Sequence, residues 1–246
     1  MKKKLLWLSA ILCICALIAG AVICVVNWNS PEQPGEESAP ASGIKIERRN
    51  GSYAINVDDP AETVGYGDHV FIAYVERMIG TEYKNPVIFK GRDLSMPYTN
   101  YSVRVLENIK GTLYTDREIE VQKDGGIYKD QQSIALYEDD LLPEAGKIYI
   151  FVASVNFDGK LLISSPNSNI PLEEALQGYG AAITEEQIAG SAVVQGYREA
   201  YANEVPFERV RFHSIYEEGY VAPGDGSDTS GETDFGSTTA SGSSAP

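Results

Sequence analysis

From Pro97 to Lys123 the chain alternates between apolar and polar residues in two successive runs. Tyr101, Val103 and Val105 are interleaved with Asn100, Ser102 and Arg104; Ile119 and Val121 are interleaved with Glu118, Glu120 and Gln122. A period of two places alternate side chains on one face of a strand. Gly111 and the polar residues after it separate the runs. The stretch therefore predicts two antiparallel strands with one buried face, and a mainly β domain around them.

Other runs extend the sheet. Asp68–Ile79 is apolar at both parities: Val70, Ile72 and Tyr74 interleave with Phe71, Ala73 and Val75. Such a strand belongs in the centre, covered on both sides. Gly80–Met96 reads as a long loop. Short strands are expected at Ser52–Val57, before Asp58-Asp59-Pro60, and at Ser133–Tyr137. Lys147–Ser154 is a strong strand, and Asn156-Phe157-Asp158-Gly159 turns it back into Lys160–Ser164.

Helices follow. Pro171 suits a first helical position before Leu172–Gln177. Thr184 and Gln187 have capping-box spacing. Ala189, Val193, Tyr197 and Ala200, with Ile188 and Ala192, then form one helical stripe to about Asn203. Val205–Ile215 reads as a last strand.

The ends differ in texture. Residues 5–26 are almost wholly apolar, and at about 1.5 Å rise per residue a helix of that length crosses a bilayer core. With Trp28 as an interfacial aromatic, residues 5–28 are expected to be a transmembrane anchor and 1–4 a cytoplasmic N-terminus. Lys2, Lys3 and Lys4 before the span, and Glu32, Glu36 and Glu37 after it, orient the rest outward. The competing reading is a signal peptide cleaved near Ala19-Gly20-Ala21, which would leave the domain secreted. Residues 29–43, rich in Pro, Glu and Ser, are expected to be a disordered linker, and 221–246 a disordered tail. The folded extracellular domain is thus expected at 44–220.

Composition narrows the function. There are 35 acidic residues against 20 basic ones, a net charge of −15. Nucleic-acid binding requires neutralisation of phosphates by Lys and Arg, so this balance argues against it, and it disfavours an anionic membrane surface too. The three cysteines, Cys13, Cys15 and Cys24, all precede the folded region, so neither disulfides nor thiolate metal sites are expected there.

Candidate chemistry is sparse. The two histidines are His69 and His213. Asp68-His69 invites an acid–base or metal role, but it opens an apolar strand. A nucleophile elbow is absent from the sequence, as are a glycine-rich phosphate loop, H-E-x-x-H and C-x-x-C. Asp58-Asp59 and Glu138-Asp139-Asp140 sit in expected loops where carboxylates can gather on calcium; solvated turns explain them equally. Asp225-Gly226-Ser227-Asp228 lacks the later positions of a calcium loop. Leu142-Pro143-Glu144-Ala145-Gly146 looks like a sorting signal but precedes a strand, so it reads as a turn. Among fifteen tyrosines, Tyr98, Tyr101, Tyr114, Tyr128, Tyr137 and Tyr149 lie in or beside strands, as packing groups or as a shared binding face. No catalytic, cofactor-binding or metal residue is assigned.

Three segments in succession carry a resemblance: Asp68–Gly80, the Tyr98–Gly111 pattern Y-T-x-Y-x-V-x-V-L-E-x-x-K-G, and L-L-x-x-x-G-K-x-Y-x-F at Leu141–Phe151. Together, over about residues 64–165, they resemble bacterial surface and secreted domains similar to the TIMP/netrin-like group of OB-type β-barrels. The resemblance implies an α+β chain with an OB-like barrel of five or six strands, C-terminal helices and a non-catalytic role binding macromolecules. Animal inhibitors of that group use an N-terminal cysteine and disulfides; this domain has none, and no site residue transfers. The expected function is a membrane-anchored extracellular binding or envelope-associated module with a protein or glycan partner. The alternatives are a cell-envelope hydrolase using carboxylates and a calcium-dependent adhesion module.

Overall fold

The computed structural model describes residues 44–221. The expected cytoplasmic N-terminus, the anchor at 5–28, the linker at 29–43 and the tail from 222 onward lie outside the described residues. No helix among the described residues is long and apolar enough to cross a membrane.

Strand β1 (Lys45–Arg49) opens the domain. Helix α1 (Pro60–Tyr66) follows, with Asp59 as its N-cap accepting from Ala61 N. The strand expected at Ser52–Val57 is absent; that segment is irregular and leads into the cap. Then come β2 (His69–Lys84), the two-residue strands β3 (Ile88–Phe89) and β4 (Arg92–Asp93), and β5 (Met96–Lys110). The loop expected at Gly80–Met96 is therefore largely paired: β2 and β5 extend beyond the core as an arm tipped by the β3–β4 hairpin. Next are β6 (Glu118–Asp124), β7 (Gly126–Ile127), β8 (Ser133–Tyr137), β9 (Ile148–Val155), β10 (Leu161–Ile163) and β11 (Asn169–Pro171). Pro171 ends a strand instead of starting a helix.

The helices α2 (Glu174–Gln177), α3 (Glu185–Gly190) and α4 (Ala192–Ala202) follow. The Thr184–Gln187 capping box forms as expected. The single helix expected beyond it is broken at Ser191, whose extended backbone starts α4 and whose hydroxyl accepts from Val194 N while donating to Glu173. Ala189 and Ala192 are exposed as a result; Ile188, Val194, Tyr197 and Ala200 form the buried stripe.

The main sheet runs β10-β6-β5-β2-β9-β11, and β10 pairs also with β9, so the sheet is partly ringed. Pairings round the ring are antiparallel except β6 with β10. The two runs of Pro97–Lys123 pair antiparallel as expected, with Tyr101 opposite Val121 and Val103 opposite Ile119. These four join Phe71, Ala73, Val75, Phe151, Leu161 and Ile163 inside the ring. The other face of β2 and β9 presents Val70, Ile72, Ile148 and Ile150 to Val64 of α1 and to the stripe of α3 and α4. β2 is thus covered on both faces along His69–Val75, as its composition requires. Several register shifts between β2 and β5 let one long pair serve both the ring and the arm. A second sheet, β1-β8-β7, caps the arm end of the ring.

The inward parity of β6 ends in a lysine. Lys123 follows Ile119 and Val121 on the same face and is fully buried, its ammonium 2.7 Å from Asp140, whose carboxylate is buried as well. Burial pushes the Lys123 amine down and the Asp140 carboxyl up, towards their neutral forms, and their pairing opposes both shifts.

Candidate functional site

The last described segment, 203–221, was expected to contain a strand. It is instead an irregular strap that crosses α1 and closes one end of the ring. Its hold is built from backbone carbonyls and charges, which leave no apolar period to read. Val205 N donates to Ala61 O, and the Arg209 and Arg211 guanidiniums donate to Tyr66 O and Gly65 O at the C-terminus of α1. A Cβ on Gly65 would lie 1.8 Å from Val205 O, so the crossing requires glycine there. Asp68 anchors both arginines at 2.7 Å. Burial alone would raise its carboxyl, but Arg209, the Val155 N–H and Arg211 outweigh that and hold it low.

Beyond the arginines the strap brings the two histidines together. Glu217 stands between them, Oε1 at 3.0 Å from His69 Nε2 and Oε2 at 2.9 Å from His213 Nδ1. Ser214 N also donates to Oε1. These contacts outweigh the burial that would raise Glu217, and its carboxyl is held low. His69 begins β2 and its side chain is only 4 % exposed. Burial lowers its pKa despite Glu217, so it is neutral at pH 7. With Nε2–H donating to Glu217, the remaining Nδ1 is a bare lone pair; it has no hydrogen-bond partner among the described residues and lies against Gly111. His213 is the reverse case. Glu217 fixes one edge of its ring and the other faces solvent, with the side chain 87 % exposed.

Two adjoining hollows of about 520 and 500 Å³ share Phe212, His213 and Glu217. The first is walled by the β9–β10 loop, through Phe157 and Gly159, and by the end of the strap at Tyr220 and Val221. The second reaches Asp68, Lys110 and Glu204. Its cations are already matched: Lys110 pairs with Glu204 at 2.5 Å, and Arg211 with Asp68. What the cleft offers a ligand is therefore an aromatic rim, Phe157 and Phe212, one open imidazole edge, and the exposed carboxylates of Glu208 and Glu218.

The other candidate residues are put to structural use. Asp59 caps α1, and Asp58 accepts from Asn167. Asp139 takes a turn conformation at φ +56° and Asp140 holds Lys123. No group of three or more His, Cys, Asp or Glu among the described residues is placed to hold a metal ion. Tyr101, Tyr128 and Tyr149 are buried. Tyr98 and Tyr114 lie near opposite ends of the sheet, one beside Lys84 and the other beside the strap, so the six tyrosines form no shared face. Leu142–Gly146 is the turn into β9, as expected, with Gly146 N donating to Val75 O. Asp225–Asp228 lies outside the described residues.

Glu217, Arg209 and Arg211 were not legible as site residues. Glu217 meets His69 across 148 positions of sequence, and nothing local marks the pair. No family model matches this chain, and no curated protein matches it either.

Proposed function

We propose that this chain is a membrane-anchored, non-catalytic binding module of the cell envelope, and that the cleft beneath its strap receives a segment of a protein partner. The carrying observation is the rim: Phe157, 87 % exposed, and Phe212, 43 % exposed, flank His213 beside cations, Lys110 and Arg211, that are already paired. Exposed aromatics round a concave site are what a docking surface presents. The strand order supports an OB-like, TIMP/netrin-like reading. Three consecutive ring strands, β2, β5 and β6, form a meander, and β6 then closes in parallel against the fifth ring strand, β10. In OB barrels the loop between the fourth and fifth strands contributes to binding; here that loop supplies Phe157 and Gly159 to the cleft.

One observation favours the hydrolase alternative: a carboxylate orients His213 and leaves its far nitrogen open, as an acid–base histidine requires. Against a carboxylate pair, Asp68 and Glu217 are both held low, whereas a general acid needs a raised carboxyl. The test is crosslinking from intact cells with the full chain and with its Phe157→Ala/Phe212→Ala variant. A partner captured by the first and lost with the second supports the reading. Equal capture by both, or substrate turnover abolished by His213→Ala, overturns it.

A further inference from the structure

At the opposite end of β2 from the histidines, the β3–β4 hairpin carries apolar residues that no other described residue covers. Val87, Ile88 and Phe89 are 51 %, 68 % and 57 % exposed. The hairpin is well formed. Phe89 pairs with Arg92 across Lys90 and Gly91, whose φ angles of +50° and +78° fit a two-residue type I′ turn. Leu94 N donates to Val87 O at its base. The Arg92 guanidinium clamps it to the body of the domain, 2.6 Å from Asp130 and 3.1 Å from Glu47.

That clamp also says where the chain enters. Glu47 belongs to β1, and Arg49 of the same strand donates to Met96, which pairs with Lys84 where the arm meets the hairpin. Ile44 and Lys45 therefore start beside the hairpin, and all that precedes them is attached on this side. Read as the linker that its composition predicts, the fifteen residues 29–43 would separate their ends by about 20 Å. On that reading the surface that holds residues 5–26 would be within reach of the hairpin.

The charge here departs from the rest of the chain. Lys90 lies 5.2 Å from the Phe89 ring centre, Arg92 and Lys129 pair with Asp130 and Asp93, and Lys45 adds its charge beside Glu47. Four cations thus stand against three carboxylates in a chain of net charge −15. A convex tip of three apolar residues is too small for a protein interface, which takes about 800 Å² from each partner. It suffices for a lipid surface, where apolar tips enter and lysines reach the head groups, once a tether has supplied a high local concentration.

We propose that the β3–β4 hairpin docks on the anionic lipid surface of the membrane that holds the chain's own N-terminal apolar segment. Val87, Ile88 and Phe89 enter the interface, and Lys45 and Lys90 meet the head groups. This rests on the anchored reading above, and it orients the histidine cleft away from the bilayer.

The experiment uses the full chain, with Trp7→Phe and Trp28→Phe, reconstituted into anionic vesicles with and without brominated acyl chains. An indole is placed by Phe89→Trp, or by Phe157→Trp at the other end of the ring. The expected result is flotation of both variants, with brominated lipid removing about half of the Phe89→Trp emission and leaving Phe157→Trp unchanged. Lys90→Glu should reduce that quenching. Flotation with both indoles unquenched overturns the docking and leaves the anchor intact. Chains that stay out of the floated fraction overturn the anchor, and the docking with it.

Discussion

Replacing Lys123 by methionine isolates the buried ion pair from the packing around it. Methionine fills much of the same space, so little cavity is left. What remains is the Asp140 carboxylate, 1 % exposed, with the Leu141 N–H at 2.8 Å as its one hydrogen-bond donor among the described residues. Removing one partner of a buried pair costs about 3–5 kcal/mol, because the other charge stays uncompensated. In a domain of this size each kcal/mol shifts the melting temperature by about 2–4 °C, so Lys123→Met should melt roughly 6–20 °C lower. Lys123→Met/Asp140→Leu should recover most of that loss, since an apolar replacement of the whole pair is commonly neutral or stabilising. The pH dependence supplies a signature. In the single variant the Asp140 carboxyl has lost the ammonium that opposed its upward shift. Its folded pKa then lies far above the unfolded value of about 3.8, so the folded state takes up the proton more readily. Its deficit against the parent should therefore be greatest at neutral pH and shrink on acidification. Melting by circular dichroism across pH 4–8 measures all of this. A single variant as stable as the double one, or a deficit indifferent to pH, would refute the reasoning.

Gly111 and His69 provide two further tests. Gly111 has φ +90° and a Cβ there would lie 2.2 Å from His69 Nδ1, so Gly111→Ala should cost about 1–3 kcal/mol in urea unfolding; an unchanged midpoint would mean the ring has room to move. Burial keeps the folded His69 pKa below 6.5, so below that pH the unfolded chain binds the proton first. Stability should be full above about pH 6.5 and fall as pH drops from there towards the folded pKa; His69→Gln should flatten that segment, and an identical slope in both proteins would exclude His69 as its source.

What the sequence disclosed follows from how each element is held. β5 and β6 each turn an apolar face into the ring, so their alternation gave the antiparallel pairing. The same parity carries Lys123 inward, but a charge at the end of the run does not read as part of an apolar face. The capping box at Thr184 is a local hydrogen-bond pattern and was visible as spacing. β1, with the sequence KIERR, pairs through its backbone and is fixed by arginines, so no apolar period announces it. The arm of β2 from Glu76 to Lys84 is largely uncovered on both faces, which removes the alternation a single buried face would impose. The histidine cleft depends on arginines gripping carbonyls of α1 and on one carboxylate reaching across the chain, and neither leaves a mark on neighbouring residues.

The strap also sets an order of events. The ring strands all lie between His69 and Ile163, so the ring requires nothing beyond that point. Glu217 comes more than fifty residues later and must find a histidine near the start of the domain. Loop closure on that scale is slow compared with forming hairpins. A chain synthesised from its N-terminus therefore builds its ring first and the strap-walled cleft last. Under the proposed reading, a partner meeting it early would find a scaffold without a site, and loss of the strap would end recognition while sparing the ring.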